Sequence, residues 1–140
     1  MGKGGNMSKS QFGSSRESLA TRSTVYSSDL FAGKTVVVSG AGGGLGLAIA
    51  ALFARLGASL AINGRDEEKL ASAKEFLESL GATVFARSIT IRDPEQVKEF
   101  VGEVNQEFGS IDVLVNNAGG AVSTGRAGLF PEGLERGHRH

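Results

Sequence analysis

From about residue 30 onward, two kinds of apolar run alternate along the chain. Thr35-Val36-Val37-Val38-Ser39 is short, β-branched and followed by glycine, which suits a strand buried on both faces. Leu45, Ala48, Ile49, Leu52, Phe53 and Leu56 follow at i, i+3, i+4, i+7, i+8 and i+11, and this spacing predicts one apolar face of a helix. Gly57 is placed to end it. Ser59-Leu60-Ala61-Ile62-Asn63 predicts a second strand. A second helix is predicted from Asp66 to Leu80, with Leu70, Ala73, Leu77 and Leu80 on one face. Asp66, Glu67 and Glu68 in its first turn complement the helix dipole, and Gly81 closes it. Thr83 to Ser88 reads as a third strand. Asp93-Pro94 opens a third helix, with Asp as N-cap and Pro at the first helical position. Val97, Phe100, Val101, Val104 and Phe108 line its face, and Gly109 stops it. Asp112-Val113-Leu114-Val115-Asn116 is the fourth strand. The order β-α-β-α-β-α-β with short connections predicts an α/β fold, a parallel sheet with helices on both faces joined by right-handed crossovers.

The flanks lack this patterning. Residues 1–30 are rich in Ser, Gly, Lys and Arg and poor in large apolar side chains. They read as a disordered arm, because too little surface is available to offset ordering entropy. Met7 offers an alternative start to Met1. Residues 121–140 have little periodicity and end in Arg136-Gly137-His138-Arg139-His140, so they read as an unstructured tail. The patterned unit is 31–120.

Composition mainly removes possibilities. A chain of 140 residues with 40 % hydrophobic and 21 % charged residues is sized for one soluble domain. Its 15 basic and 15 acidic residues balance, which gives no electrostatic reason to expect nucleic acid or an anionic membrane as partner. The absence of cysteine excludes disulfides, zinc–thiolate sites and thiol catalysis. No apolar run reaches the roughly 18 residues of a membrane span. The N-terminus lacks a signal-peptide core, and Asn6 stands where a myristoylation signal needs Ser or Thr. The expected location is the cytoplasm.

Glycine changes the picture. Of 21 glycines, the cluster in Ser39-Gly40-Ala41-Gly42-Gly43-Gly44-Leu45-Gly46 bridges a buried strand and an amphipathic helix. A flexible loop is the alternative, but this is the context a dinucleotide fingerprint requires. Gly40 permits a tight turn, Gly44 lets a pyrophosphate approach the backbone, and Gly46 lets the helix pack closely on the sheet. The helix N-terminus then offers free N–H groups and a positive dipole end to phosphates. The unit is therefore expected to be an incomplete Rossmann-type, doubly wound parallel sheet of about four strands and three helices.

This turn resembles the Thr-Gly-x-x-x-Gly-x-Gly motif of the short-chain dehydrogenase/reductase family, with Ser39 in place of Thr. Asn116-Asn117-Ala118-Gly119 is similar to that family's Asn-Asn-Ala-Gly motif after the fourth strand, although a plain strand-end turn would also explain it. The resemblance covers about residues 30–120. It implies that Gly40, Gly44, Leu45 and Gly46 lie along the cofactor phosphates, with Ser39 and Gly42 in the same turn. It places Asn117, Ala118 and Gly119 beside the adenosine and ribose, and makes Asn116 partly structural, tying the fourth strand to its neighbours. Relatives carry Asp-Val after the third strand. Alignment on Asp93-Pro94 puts Thr90-Ile91 there, so a Thr90 hydroxyl and the Ile91 backbone replace the usual adenine contact.

The end of the second strand bears on the cofactor. An NAD enzyme usually places an acid there for the ribose 2′-hydroxyl. Here Gly64 occupies that position, and Arg65 follows, able to fork onto a 2′-phosphate. A solvated arginine is the alternative, and Arg87 is a second candidate. NADP is thus favoured over NAD.

Hydride transfer to a carbonyl needs a proton donor with a lowered pKa. The resemblance implies Tyr-x-x-x-Lys, a Ser and an Asn for this work. The single tyrosine, Tyr26, is followed by Ser27, Ser28, Asp29 and Leu30, so no catalytic residue carries over. The tail is similar to the family's continuation read one nucleotide out of frame, which implies a frameshift near Gly120. The expectation is the N-terminal half of an NAD(P)-dependent oxidoreductase acting on a carbonyl/alcohol or enoyl substrate. The small-molecule substrate is then met only in the intact enzyme, and oligomerisation is not expected of this chain. Two alternatives stay open: a non-catalytic nucleotide-binding module, and a product without a stable fold, since the fourth strand would be an unpaired edge.

Overall fold

A computed structural model describes residues 13–119. Strands β1 (Thr35–Ser39), β2 (Ser59–Gly64), β3 (Val84–Ser88) and β4 (Val113–Val115) alternate with helices α2 (Gly44–Arg55), α3 (Glu67–Ser79) and α4 (Pro94–Phe108), and a short helix α1 (Arg16–Thr21) precedes them. All strand pairs are parallel, in the order β3-β2-β1-β4. The register places Val37 level with Ala61 and Leu114, and Ala61 level with Phe85.

Alternation along the strands divides the core between the two faces. Val36, Val38, Leu60, Ile62 and Val84 are buried in one cluster with Leu47, Ala50, Ala51, Ala54, Leu70, Ala73 and Leu77, which come from α2 and α3. Val37, Ala61 and Ile89 are buried in the other with Phe100 and Val104 of α4. This is the doubly wound arrangement. Because β1 pairs with β2 on one side and β4 on the other, the chain reverses direction across the sheet between β1 and β4, the topological switch point where such sheets bind ligands.

Local signals set the helix limits as the sequence predicts. Asp66 caps α3 by accepting from the Lys69 N–H at 3.1 Å. Asp93 caps α4 by accepting from the Glu95 N–H at 3.0 Å, with Pro94 in the first turn. Gly109 ends α4 in the left-handed region at φ 83°, where glycine carries no Cβ penalty. At the start of β4, Asp112 holds Thr35 twice: its carboxylate accepts from the Thr35 N–H at 2.8 Å, and its own N–H donates to the Thr35 carbonyl at 2.9 Å.

Two expectations differ from the structure. The periodicity of α2 put its large side chains inward, yet the buried face is Gly46, Leu47, Ala50, Ala51 and Ala54. Leu45 is 69 % exposed and Leu52 38 %. The strand valines and isoleucine already fill the layer beneath, so the small-residue face lets the helix lie close to the sheet. Ile49 and Phe53 pack at the margin, Phe53 edge-on to Phe31 at 4.9 Å. Second, part of the segment read as a disordered arm forms α1, which packs on α2. Ser15 caps it by accepting from the Ser18 N–H at 3.1 Å. Arg16 lies over the Phe76 ring of α3 at 5.3 Å, and Arg55 of α2 donates to the Leu19 carbonyl at 3.1 Å. These arginine contacts add to Leu19, which packs against the core cluster. The tail read from residue 121 lies outside the described residues. Among the described residues no helix is long and apolar enough to cross a membrane.

Candidate dinucleotide-binding site

The glycine turn begins where β1 ends. The Gly40 and Ala41 N–H groups both donate to the Asn63 carbonyl of β2, at 2.9 and 3.1 Å. Gly40 has φ +69°, and a Cβ there would lie 2.9 Å from the Ala118 Cα. Glycine is thus required twice at this position, for its conformation and for the approach of the β4 end. Gly44 has φ +56° with nothing within 4 Å of a built Cβ. Among the described residues nothing faces the opening of α2 there, and Gly43 provides no side-chain cap. The first N–H groups of α2 are therefore left for a partner outside the helix.

Gly46 is needed for a reason other than the expected one. A Cβ there would overlap the Gly40 carbonyl oxygen and crowd the Asn117 amide. The close contact is with the turn itself and the end of β4, not with the sheet.

The two motifs are physically one assembly. Ser39 Oγ donates to the Val115 carbonyl at 3.2 Å and accepts from the Asn117 and Ala118 N–H groups at 3.0 and 2.9 Å. Asn117 Nδ2 donates to the Gly40 carbonyl at 3.1 Å. Ser39 is buried and its hydroxyl is fully used, so it braces the turn. The tie between β4 and its neighbour, assigned to Asn116 by resemblance, is made by Asn117. Asn116 is exposed.

At the carboxyl ends of the strands lies a cleft of about 390 Å³. Its lining brings together Gly40, Arg65, Thr90, Ile91, Asn117, Ala118 and Gly119 of the expected set. Ser39, Gly42, Gly44, Leu45 and Gly46 are outside that lining; Gly42 instead sits against α3, where a Cβ would meet Lys69 at 3.4 Å. Gly64, Ile89 and Arg92 also line the cleft. The sequence singled out neither Ile89 nor Arg92 as a site residue, and no motif marks them; the strand pairing of β2 with β3 brings them there. Arg87, the second arginine candidate, is excluded by geometry. It pairs with Glu103 of α4, lies over the Phe85 ring at 5.6 Å, and is outside the cleft lining.

The floor between β2 and β3 is held by hydrogen bonds. The Ile89 N–H donates to the Gly64 carbonyl at 3.0 Å, and Ser88 Oγ donates to the Arg65 carbonyl at 3.3 Å. Beyond β3, the Thr90 N–H donates to Gln96 Oε1 at 3.0 Å, and Thr90 Oγ1 accepts from the Arg92 N–H at 3.2 Å. The Thr90 hydroxyl is thus already an acceptor in its own loop but keeps a proton to donate. Ile91 is 44 % exposed and presents an apolar surface beside it. A Cβ on Gly64 would lie 3.7 Å from Leu70 Cδ1, an ordinary contact, so sterics do not require glycine there.

The family model for short chain dehydrogenases matches residues 34–134. A short chain dehydrogenase/reductase of Macrophomina phaseolina is 41 % identical over 88 residues, which is 62 % of this chain and 50 % of that protein. L-sorbose reductase from Gluconobacter frateurii, solved with NADPH and L-sorbose, superposes with a TM-score of 0.64 at 37 % identity, covering 67 % of this chain and 36 % of that one. A short chain dehydrogenase/reductase from Burkholderia phymatum, solved with NAD, superposes with a TM-score of 0.62 at 36 % identity, covering 64 % and 32 %. The chain spans half or less of the length of the first curated relatives it matches. A parallel sheet reversing at β1, a glycine turn braced by the end of β4, and a sequence match across both lead to one assignment: the chain belongs to the short chain dehydrogenase family of oxidoreductases.

Proposed function

We propose that residues 31–119 form the NADP-binding half of an oxidoreductase that moves hydride between nicotinamide and a carbonyl/alcohol or enoyl group of a small molecule. The observation that carries this reading is the cleft itself. It lies at the switch point, its lining includes Arg65, and among the described residues no carboxylate lines it. The uncapped N-terminus of α2 at Gly44 suits the pyrophosphate. Gly40 and the Asn117–Gly119 backbone suit the ribose, and Thr90 with Ile91 suits the adenine. Arg65, at the end of β2, suits a 2′-phosphate, which a guanidinium meets with two parallel N–H donors. A solved relative with NADPH supports the assignment. A relative with NAD bound makes the choice one to be tested on this chain.

The dinucleotide supplies the hydride; the described residues bind and orient it. The sequence contains no Tyr-x-x-x-Lys, so this chain alone is expected to bind cofactor without turnover. A cytoplasmic setting belongs to the same proposal; among the described residues no helix is long and apolar enough to cross a membrane.

Thermal melting followed by far-UV circular dichroism tests the reading. At NADPH one hundred times its Kd, binding to the folded state should add about 2.7 kcal/mol, with a smaller gain from NADH at the same concentration. A larger gain from NADH reverses the cofactor choice. A cooperative melt that neither ligand moves removes the binding function, and the lack of any cooperative melt supports the reading of a product without a stable fold.

A further inference from the structure

Two arginines line the cleft, and only one is explained by its place at the end of β2. Arg92 stands in the loop between β3 and α4 and lines the same cavity as Arg65. The loops that carry them are fastened to each other and to α4. Gly64 and Arg65 accept from Ile89 and Ser88 through their carbonyls. The Arg92 N–H is held by Thr90 Oγ1 at 3.2 Å, and the Asp93 N–H by the Thr90 carbonyl at 3.3 Å.

The nearest carboxylates in sequence do not neutralise this pair. Asp66 accepts from the Lys69 N–H, and Asp93 accepts from the Glu95 N–H and from Gln96 Nε2 at 3.0 Å. Both are committed to helix caps. Among the described residues the one ion pair is Arg87 with Glu103, so neither Arg65 nor Arg92 has an acidic partner there. The rest of the lining is backbone, a hydroxyl, an amide and apolar side chains. Among the described residues, the cavity therefore carries two guanidiniums without an acidic partner on hydrogen-bonded loops, which is the arrangement that recognises a dianion.

We propose that Arg92 is a second cation for the 2′-phosphate of the dinucleotide, acting with Arg65 to set NADP over NAD. The proposal rests on the cofactor-binding reading above. Ordered loops lower the entropy lost when the phosphate is gripped, and a dianion can be shared between two forks that each donate two N–H groups.

Titration of the full chain with NADPH and NADH, for the wild type, R92Q and R92K, tests this by calorimetry at two salt concentrations. R92Q should lose about tenfold in NADPH affinity, leave NADH affinity unchanged and flatten the salt dependence. R92K should recover part of the loss. The side chain is exposed, so the melting temperature without ligand should not move, which controls for folding. Equal loss for both cofactors would mean that Arg92 acts on the adenine ring or the pyrophosphate and would overturn the proposal. No loss for either would overturn it as well. Failure of the wild type to bind either dinucleotide would remove the cofactor reading together with this one; normal wild-type binding with an indifferent R92Q removes only the role of Arg92.

Discussion

The cleft has two ends built on opposite principles. At the β1–β4 end, the Ser39 hydroxyl and the Asn117 amide N–H are spent inside the protein, and the backbone N–H groups at the start of α2 are what stay open. Ser39 Oγ makes three hydrogen bonds, Asn117 reaches back to Gly40, and Gly40 and Gly46 leave no room for a side chain. At the β2–β3 end the backbone is equally well fastened, yet Arg65 and Arg92 extend into the cavity without an acidic partner among the described residues. Substitutions at the first end should therefore act on stability and through it on binding. Substitutions at the second should change which ligand binds and leave stability alone.

The sharpest way to break this comparison is at Gly46. Gly46→Ala places a methyl group into the Gly40 carbonyl and against Asn117, so the turn and the β4 end must part. Such overpacking against backbone should cost roughly 3 kcal/mol. For a domain of this size that lowers the melting temperature by about 4–8 °C per kcal/mol. The same substitution at Gly43, where a Cβ meets nothing within 4 Å, is the control. If Gly46→Ala melts like the wild type, the account of the β1–β4 end is wrong.

Ser39→Ala should come next. It removes the acceptor of the partly buried Ala118 N–H, one of two acceptors of the Asn117 N–H, which keeps the Val115 carbonyl at 3.1 Å, and the hydroxyl donor to that carbonyl. Losing three hydrogen bonds, with the Ala118 N–H left without a partner, should cost about 2 kcal/mol. Ser39→Thr keeps the oxygen, and urea unfolding should show it recovering most of the loss. Equal instability of both variants would point to packing, not to the hydroxyl.

The same contrast governs what the sequence made legible. Strands, caps and stops were readable because local rules specify them: β-branched runs for β1 and β2, Asp66 and Asp93 as caps, Gly109 as a left-handed stop. The glycine turn was readable because its residue types are required by backbone geometry. The buried side of α2 was not, because periodicity cannot tell which of two apolar faces meets the sheet. The large residues Leu45 and Leu52 look like core, while the alanine face is what the filled strand layer admits. Asn116 and Asn117 are adjacent and chemically identical, and only the register of β4 against β1 decides which one reaches Gly40. Arg92 and Arg87 show the same limit at the other end. Both are arginines near β3, but one is held by Glu103 and Phe85 on the α4 face while the other lines the cleft. Helix α1 was missed because long-range arginine contacts to α3 and α2, which composition does not reveal, fasten it.

The smallest change in stability, with a change in preference, is expected at Gly64. It lines the cleft beside Arg65, and a built Cβ finds Leu70 Cδ1 at 3.7 Å, so Gly64→Asp fits without displacing backbone. An acid at the end of β2 accepts from a ribose 2′-hydroxyl and repels a 2′-phosphate. It also offers Arg65 a partner that competes with the ligand. Melting without ligand should stay within about 0.5 kcal/mol of the wild type. NADPH binding should weaken by roughly 1 kcal/mol through like-charge repulsion in a solvated cleft, while NADH binding holds or improves. Parallel titration of the two cofactors measures the ratio directly. A Gly64→Asp variant that destabilises the fold as much as Ser39→Ala would erase the distinction between the two ends. A stable variant with an unchanged NADPH/NADH ratio would place the 2′-position of the ribose away from β2.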